Sequence, residues 1–290
     1  MKKSILFIIN PISGGKEKKG FPDIAKRYLD SSIFNAQYKF TTHARHAYEL
    51  ATEAVVNKID VVVAVGGDGT INEVASALEG TECLMGIIPC GSGNGLARSL
   101  NIPLDNKKAV EALNKLDVEV IDTGVLDNWK FFNMSGVGFD AQISHKFAKM
   151  VSRGLKGYIK TTFKEIVNYK PQLYKINIDG KEIERSAFMI SIANSSQYGN
   201  NAHISPQASL KDGLLDVCIV KPFPLYHFPV MGYHLFSRTS NKSRYIEIIK
   251  GRKIRIQTDK PNIVHIDGEP REISGEISVA IKPLSLSILH

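Results

Sequence analysis

The sequence predicts an α/β fold in two domains, a parallel-sheet nucleotide-binding domain followed by a β-rich, sandwich-like domain, and three observations carry that expectation. Val61 to Val65 is an unbroken apolar run of the kind buried on both faces of a parallel sheet. The segments before it alternate strand, helix, strand, helix, which predicts parallel strands with crossover helices on the sheet faces. After Val118 to Asp122 the texture changes to short alternating strands with hairpin turns.

Composition narrows the function classes. A chain of 290 residues is long for one small core, and 43% apolar with 23% charged residues is too apolar for disorder. The net charge of +8 suits an anionic partner such as nucleotide, nucleic acid or an acidic membrane surface. No RRM, KH or zinc-finger pattern accompanies it, so nucleic acid is not expected. Cys83, Cys90 and Cys218 are odd in number and widely spaced, which argues against a disulfide framework or a zinc site and for a reducing compartment. Met1-Lys2-Lys3 before Ile5 to Ile9 imitates a signal peptide, but the apolar run is too short. No stretch approaches the ~20 apolar residues of a membrane span, so a cytoplasmic protein with peripheral membrane contact is expected.

The elements follow in order. Ser4 to Asn10 reads as the first buried strand, with Pro11-Ile12-Ser13-Gly14-Gly15-Lys16 as the loop at its carboxyl end. The Walker spacing is absent, but Gly14 and Gly15 offer main-chain N–H groups to a nucleotide with Lys16 nearby. The other reading of that loop is a flexible turn beside the solvated run from Lys16 to Lys19. Phe21 to Leu29 is expected as helix, Tyr38 to Thr42 as strand, and Ala47 to Val56 as the helix leading into Val61 to Val65. Leu84 to Ile88 is a further strand, which ends in a second glycine loop, Pro89 to Gly95, before a helix from Leu96 to Leu100. In the second domain, strands are expected at Trp129 to Met134, Leu173 to Ile178, Ala187 to Ala193, within Leu210 to Val220, and at Ile263 to Ile266. Between them Gln142 to Tyr169 is basic and helical in pattern, with Lys146, Lys149, Arg153, Lys156, Lys160 and Lys164. It suits either an anionic bilayer or a solvated face.

The first glycine loop carries the chemistry. Gly66, Gly67 and Gly69 allow positive φ and close approach of a ligand to the main chain. Thr70-x-x-Glu73 has the spacing of a capping box, with Ile71, Val74, Ala75 and Leu78 following at helical spacing. A strand end facing a helix N-terminus is where phosphate binds. Asp68 would repel that phosphate unless a divalent cation lies between them, so it is a candidate Mg²⁺ ligand; the alternative is that it caps a turn. In the second loop, Ser92 and Asn94 add hydroxyl and amide donors to those of Gly91.

Gly66-Gly67-Asp68-Gly69-Thr70 resembles the signature shared by diacylglycerol kinase catalytic domains, sphingosine kinases, NAD kinases and phosphofructokinases. With Pro89-Cys90-Gly91-Ser92-Gly93-Asn94 about twenty residues later, the order is that of diacylglycerol and sphingosine kinase catalytic domains. Gly95-Leu96-Ala97 departs from the bacterial diacylglycerol kinase form, G-T-x-N-D, toward the sphingosine kinase form. Lys211-Asp212-Gly213-Leu214-Leu215-Asp216 is similar to the family's [KN]-D-G-x-[LF]-D motif. That resemblance implies a structural Mg²⁺ on Asp212 and the carbonyls of Ser209 and Leu214, supported by Asp216. Asp267-Gly268-Glu269 matches the family's D-G-E motif and implies Glu269 as general base. Leu284 to Leu289 is expected to return to the first domain, so the resemblance covers essentially the whole chain.

The expectation is a lipid kinase using ATP and Mg²⁺, with domains at 1–122 plus 284–290 and at 123–283 and the active site in the cleft between them. Asp68 and Glu269 are the catalytic pair. The residues assigned to nucleotide are Asn10, Pro11, Ser13, Gly14, Gly15, Thr41, Gly66, Gly67, Asp68, Gly69, Thr70, Asn72, Glu73, Gly91, Ser92 and Asn94. Diacylglycerol is the first acceptor and a sphingoid base the alternative, with an NAD kinase or a non-catalytic nucleotide-binding regulator behind them. The expected partners are the lipid substrate and an anionic membrane surface, and a homodimer is left open.

Overall fold

The computed structural model describes residues 2–15, 18–148, 165–166, 169–258 and 262–290. They divide into two compact units, Met1–Thr123 with Leu284–His290, and Gly124–Pro283.

The first unit is an α/β sheet. In chain order it contains β1 (Lys3–Ile9), α1 (Phe21–Tyr28), β2 (Phe34–Phe40), α2 (His46–Val56), β3 (Val61–Gly66), α3 (Asp68–Leu78), β4 (Leu84–Pro89), α4 (Gly95–Ser99) and α5 (Asn106–Leu113). The strands lie in the order β2-β1-β3-β4, every neighbouring pair parallel. Every residue of β3 is buried, as a continuous apolar run in a covered parallel strand must be. Register sets Ile9 beside Val65 and Gly66 beside Pro89, so the loops after β1, β3 and β4 leave one edge of the sheet together. The chain end adds a parallel strand to β4, through Ile288 beside Met85. It is held by the Leu284 N–H on Asp122 Oδ1 at 2.8 Å and by the Ser285 hydroxyl on Thr123 Oγ1 at 2.8 Å.

The second unit is a β-sandwich-like body. After β5 (Val118–Leu126) come β6 (Trp129–Phe131), β7 (Met134–Gly138), α6 (Phe139–Ala148), β8 (Gln172–Ile178), β9 (Lys181–Ala187), β10 (Met189–Ala193), β11 (Leu215–Val220) and α7 (Phe228–Phe236). Then follow β12 (Ile246–Gly251), β13 (Lys253–Gln257), β14 (Asn262–Ile266), β15 (Glu269–Ile273) and β16 (Ile277–Leu289). One sheet runs β16-β13-β8-β9 with the β5-β6 hairpin beside it, and the other runs β12-β11-β10-β7-β14-β15. Phe131, Tyr174, Ile176, Ile190, Val217 and Ile254 are buried between the sheets, the alternating inward residues of both layers. The outer face of the second sheet is covered by Phe139 and Ile143 of α6 and Met231 of α7.

Several expected elements move. The strand expected at Tyr38–Thr42 starts earlier and ends at Phe40, because Phe34 to Phe40 pair residue for residue with Lys3 to Ile9. The basic helix expected over Gln142–Tyr169 begins as α6 at Phe139; Lys149 to Lys164 lie outside the described residues, as does Lys16. Trp129 to Met134 is two strands, β6 and the start of β7.

Candidate active site

Three loops of the first unit meet through their main chains. A Cβ on Gly14 would lie 2.1 Å from the Cys90 carbonyl oxygen and one on Gly91 2.6 Å from Gly67 Cα, while one on Gly93 would meet a side chain, 2.8 Å from Asp68 Oδ2. No residue larger than glycine fits these approaches, so the loops after β1, β3 and β4 form one cluster of bare backbone. None of Gly66, Gly67 and Gly69 has positive φ, and at Gly66 and Gly67 the reason for glycine is space, a Cβ on Gly67 lying 3.1 Å from Gly91 Cα. At Gly66 the space is taken by a side chain: a Cβ there would lie 2.5 Å from Thr70 Cβ.

The polar side chains of the cluster bind the protein itself. Asp68 Oδ2 accepts the Asn94 N–H at 2.9 Å and Oδ1 the Gly95 N–H at 2.8 Å, so Asp68 caps α4 from the neighbouring loop. Burial pushes the Asp68 carboxyl above its ordinary pKa, against those two N–H groups and the Arg98 charge. The Asn94 side chain, expected as a free donor, closes its own loop instead: Oδ1 accepts the Gly91 N–H and Nδ2 donates to the Gly91 carbonyl, both at 2.9 Å. Asn94 itself takes the left-handed conformation, φ 54°, which asparagine tolerates. Asn10 Nδ2 donates to Thr70 Oγ1 at 3.0 Å, and the Asn10 carbonyl accepts the Ser13 hydroxyl at 3.3 Å. Pro11 and Gly15 lie in that same loop, while Ser92 is exposed on the tip of the second. Thr41 stands at the end of β2, its N–H on the Ile9 carbonyl at 2.9 Å.

The capping box is not made. Helix α3 begins at Asp68, two residues before Thr70, so Thr70 is buried inside the first turn with no cap to form. Glu73, also expected at the nucleotide, instead accepts the N–H groups of Arg45 and Ala47, both at 3.1 Å, and so caps α2. Asn72 Oδ1 accepts the Ser76 hydroxyl at 3.4 Å, one turn along α3. The unexpected residue here is Lys18: it is buried, and its ammonium donates to the Ser13 carbonyl close enough to Cys90 to oppose the rise of the thiol's pKa. Within its charged run nothing marks it out; only the fold separates it from Lys19, which is exposed.

An Mg²⁺ carried by ATP needs one or two protein carboxylate oxygens in addition to phosphates and water. Asp68 fits that need. Its carboxylate has about four acceptor sites and spends one on each of the Asn94 and Gly95 N–H groups, so acceptor capacity remains for an ion.

In the second unit the Asp267–Glu269 turn is built around Asp267. Its Oδ2 accepts the Phe132 N–H at 3.0 Å and its Oδ1 the N–H groups of Asn133 and Met134 at 2.9 and 3.0 Å. Asp267 has φ 48°, and Gly268 follows at 89°, a hairpin that leaves the Glu269 side chain exposed at the start of β15. Arg271 holds Glu269 Oε2 at 3.2 Å. Behind the turn, buried His265 shares its Nε2 with Asp140 Oδ2 at 3.1 Å, and Ser191 donates to the same oxygen at 3.1 Å. No sequence signal joins these three, which come from β14, α6 and β10.

At Asp212 the partner is a lysine. Lys250 Nζ lies 2.7 Å from Asp212 Oδ2 and 3.5 Å from Asp216 Oδ1, and Asp212 Oδ1 accepts the Leu214 N–H at 3.1 Å. The hydrogen bond to Asp212 raises the Lys250 pKa, so the ammonium stays charged. Ser209 turns its hydroxyl to the Lys211 N–H at 3.3 Å. The Lys250 ammonium thus stands at the carboxylate oxygen that the implied structural Mg²⁺ would share with the Ser209 and Leu214 carbonyls, so ion and ammonium would compete for Asp212.

Comparison with known proteins places this geometry. Residues 4–126 match the family model described as diacylglycerol kinase catalytic domain, and residues 133–290 the one described as YegS C-terminal NAD kinase beta sandwich-like domain. A protein of Enterobacter sp. (strain 638) named "Probable lipid kinase YegS-like" is 30% identical over 97% of this chain and 94% of its own length. The "Diacylglycerol kinase" of Bacillus subtilis (strain 168) is 25% identical over 92% of this chain and 90% of its own. A crystal structure of a diacylglycerol kinase from Bacillus anthracis str. Sterne shares the fold, with TM-score 0.75 at 19% identity, over 100% of this chain and 97% of that one.

Proposed function

Because the chain belongs to the family of diacylglycerol kinases and YegS-like lipid kinases, we propose that it transfers the γ-phosphoryl group of ATP to a lipid hydroxyl, with diacylglycerol as acceptor and phosphatidic acid as product. The observation that carries the reading is the convergence of Gly14, Gly67 and Gly91, a main-chain cluster at the N-terminal end of α3. Such a cluster suits phosphates, since backbone N–H groups and the helix dipole both favour an anion. We assign residues 1–122 with 284–290 to ATP and 123–283 to the lipid, in an enzyme that works in the cytoplasm at the inner membrane face.

In this reading Glu269 takes the proton of the lipid hydroxyl as that oxygen bonds to the γ-phosphorus. The bond from phosphorus to the bridging oxygen breaks, and its electron pair leaves with ADP. Arg271 orients the Glu269 carboxylate, and Asp267 fixes the turn that presents it. Loop N–H groups, the Ser92 hydroxyl and Lys18 receive the phosphoryl charge. Mg²⁺, when bound, neutralises charge across the phosphates, and Asp68 would hold it.

Gly95-Leu96-Ala97 favours a second reading, a sphingoid base as acceptor. Labelled ATP offered with diacylglycerol, sphingosine, ceramide or phosphatidylglycerol decides between them. The proposal expects phosphatidic acid as the main product; sphingosine phosphate in excess would replace it.

A further inference from the structure

Helix α7 (Phe228–Phe236) contains no Asp, Glu, Lys or Arg and is apolar on both sides. One side is accounted for: Met231 is buried, and Phe228 and Leu235 pack on the cluster beneath the second sheet. The other is bare. Tyr226, Val230, Tyr233 and Phe236 recur at spacings of four, three and three along the helix and the turn before it, and they are 78%, 46%, 68% and 56% exposed. A helix apolar all round belongs inside a protein or against a partner, and a patch of this kind on a surface marks an interaction site.

The surrounding charge identifies the partner. From Lys221 to Tyr245 there is no acidic residue, while Arg238, Lys242 and Arg244 are all exposed. Arg238 and Lys242 follow the helix C-terminus. Arg244 lies over the Tyr245 ring at 4.8 Å, and that ring meets His227 at the helix N-terminus, so cations flank both ends of the apolar face. Tyrosines on an apolar stripe with arginine and lysine at its margins are the composition of a helix lying in the headgroup layer of an anionic bilayer. A second copy of the chain fits worse, since a two-fold contact would set these cations against their own equivalents.

We propose that the exposed face of α7, with Arg238, Lys242 and Arg244, docks the protein on an anionic lipid bilayer. The inference rests on the lipid-kinase reading only for its purpose, bringing the enzyme to a substrate that resides in the bilayer. It places the membrane contact at α7.

The test is co-sedimentation with vesicles of equimolar phosphatidylglycerol and phosphatidylcholine, using the full chain. The variant Tyr226→Ser/Tyr233→Ser/Phe236→Ser, checked for parental melting temperature, should partition at least about tenfold more weakly. The variant Arg238→Gln/Lys242→Gln/Arg244→Gln should lose the preference for anionic over neutral vesicles and the salt sensitivity of binding. On a short-chain acceptor dispersed as monomers, both variants should turn over as the parent does. Parental vesicle binding by the serine variant overturns the proposal. So does a parent that sediments as a dimer while the serine variant sediments as a monomer, for then a second copy covers the face. Vesicle binding lost in the variants while the parent phosphorylates no lipid supports the docking surface and removes only the kinase reading.

Discussion

The glycine loops of the first unit and the Asp267–Glu269 turn of the second are built from opposite materials. In the loops nearly every signature side chain is tied to the protein: Asp68 to Asn94 and Gly95, Asn94 to Gly91, Asn10 to Thr70, Glu73 to α2. What remains for a ligand is chiefly backbone brought close by glycines, with the exposed Ser92 hydroxyl and the remaining acceptor capacity of Asp68. In the turn, Asp267 is consumed by three N–H groups and its neighbour Glu269 is left exposed, so a side chain is what the turn offers. The difference teaches that the first region should respond to changes of shape and the second to changes of charge.

The largest expected effect is at the turn. Glu269→Gln keeps the volume and removes the proposed base, and it should lower kcat by about 10²–10⁴-fold with ATP affinity and melting temperature unchanged. A stability loss equal to the activity loss would make Glu269 structural and erase the contrast.

In the loops the corresponding change is steric. Gly91→Ala puts a Cβ 2.6 Å from Gly67 Cα and 2.9 Å from Asn94 Oδ1, contacts with no room to relax. It should cost about 1–3 kcal/mol of stability and abolish ATP binding measured by calorimetry, whereas Ser92→Ala on the exposed tip should be mild. Equal ATP affinity in parent and Gly91→Ala would show that the backbone approach is not the site.

Asp68→Asn sharpens the comparison because Asp68 belongs to both categories. An amide offers one acceptor to two N–H groups, so the variant should lose about 1–3 kcal/mol of stability along with turnover. Unchanged melting with lost turnover would assign Asp68 to metal alone.

The smallest effect is at Asp212. Lys250→Met removes the ammonium shared by Asp212 and Asp216 at a half-exposed site, a loss of about 1 kcal/mol. The parent's melting temperature should not respond to EDTA, and that of Lys250→Met should rise with Mg²⁺. A parent destabilised by EDTA in the absence of nucleotide would place a metal at Asp212 in preference to the ammonium.

These contrasts also mark where the sequence is legible. The valine run of β3 and the glycines around it can be read without a structure, because burial on both faces and absence of Cβ are local properties. Thr70-x-x-Glu73 misleads because spacing fixes which residues can cap but not where the helix starts. With α3 beginning at Asp68, Glu73 finds its N–H partners 28 and 26 residues away. Asp267 and Lys250 act through pairings 133 and 38 residues apart, which no local pattern encodes. Helix α7 gives no signal because it is apolar all round and has no alternation for a period to reveal.

The proposed division of labour gives the nucleotide to the backbone of the first region and the proton of a lipid hydroxyl to the Glu269 carboxylate of the second. The measurement that tests it most directly is single-turnover transfer of label from γ-labelled ATP to diacylglycerol, with the parent and Glu269→Gln side by side at equal ATP occupancy. The account predicts labelled phosphatidic acid from the parent and a burst slowed by about 10²–10⁴-fold in the variant. Parental transfer by Glu269→Gln, or labelled NADP from NAD with no labelled lipid, would contradict it.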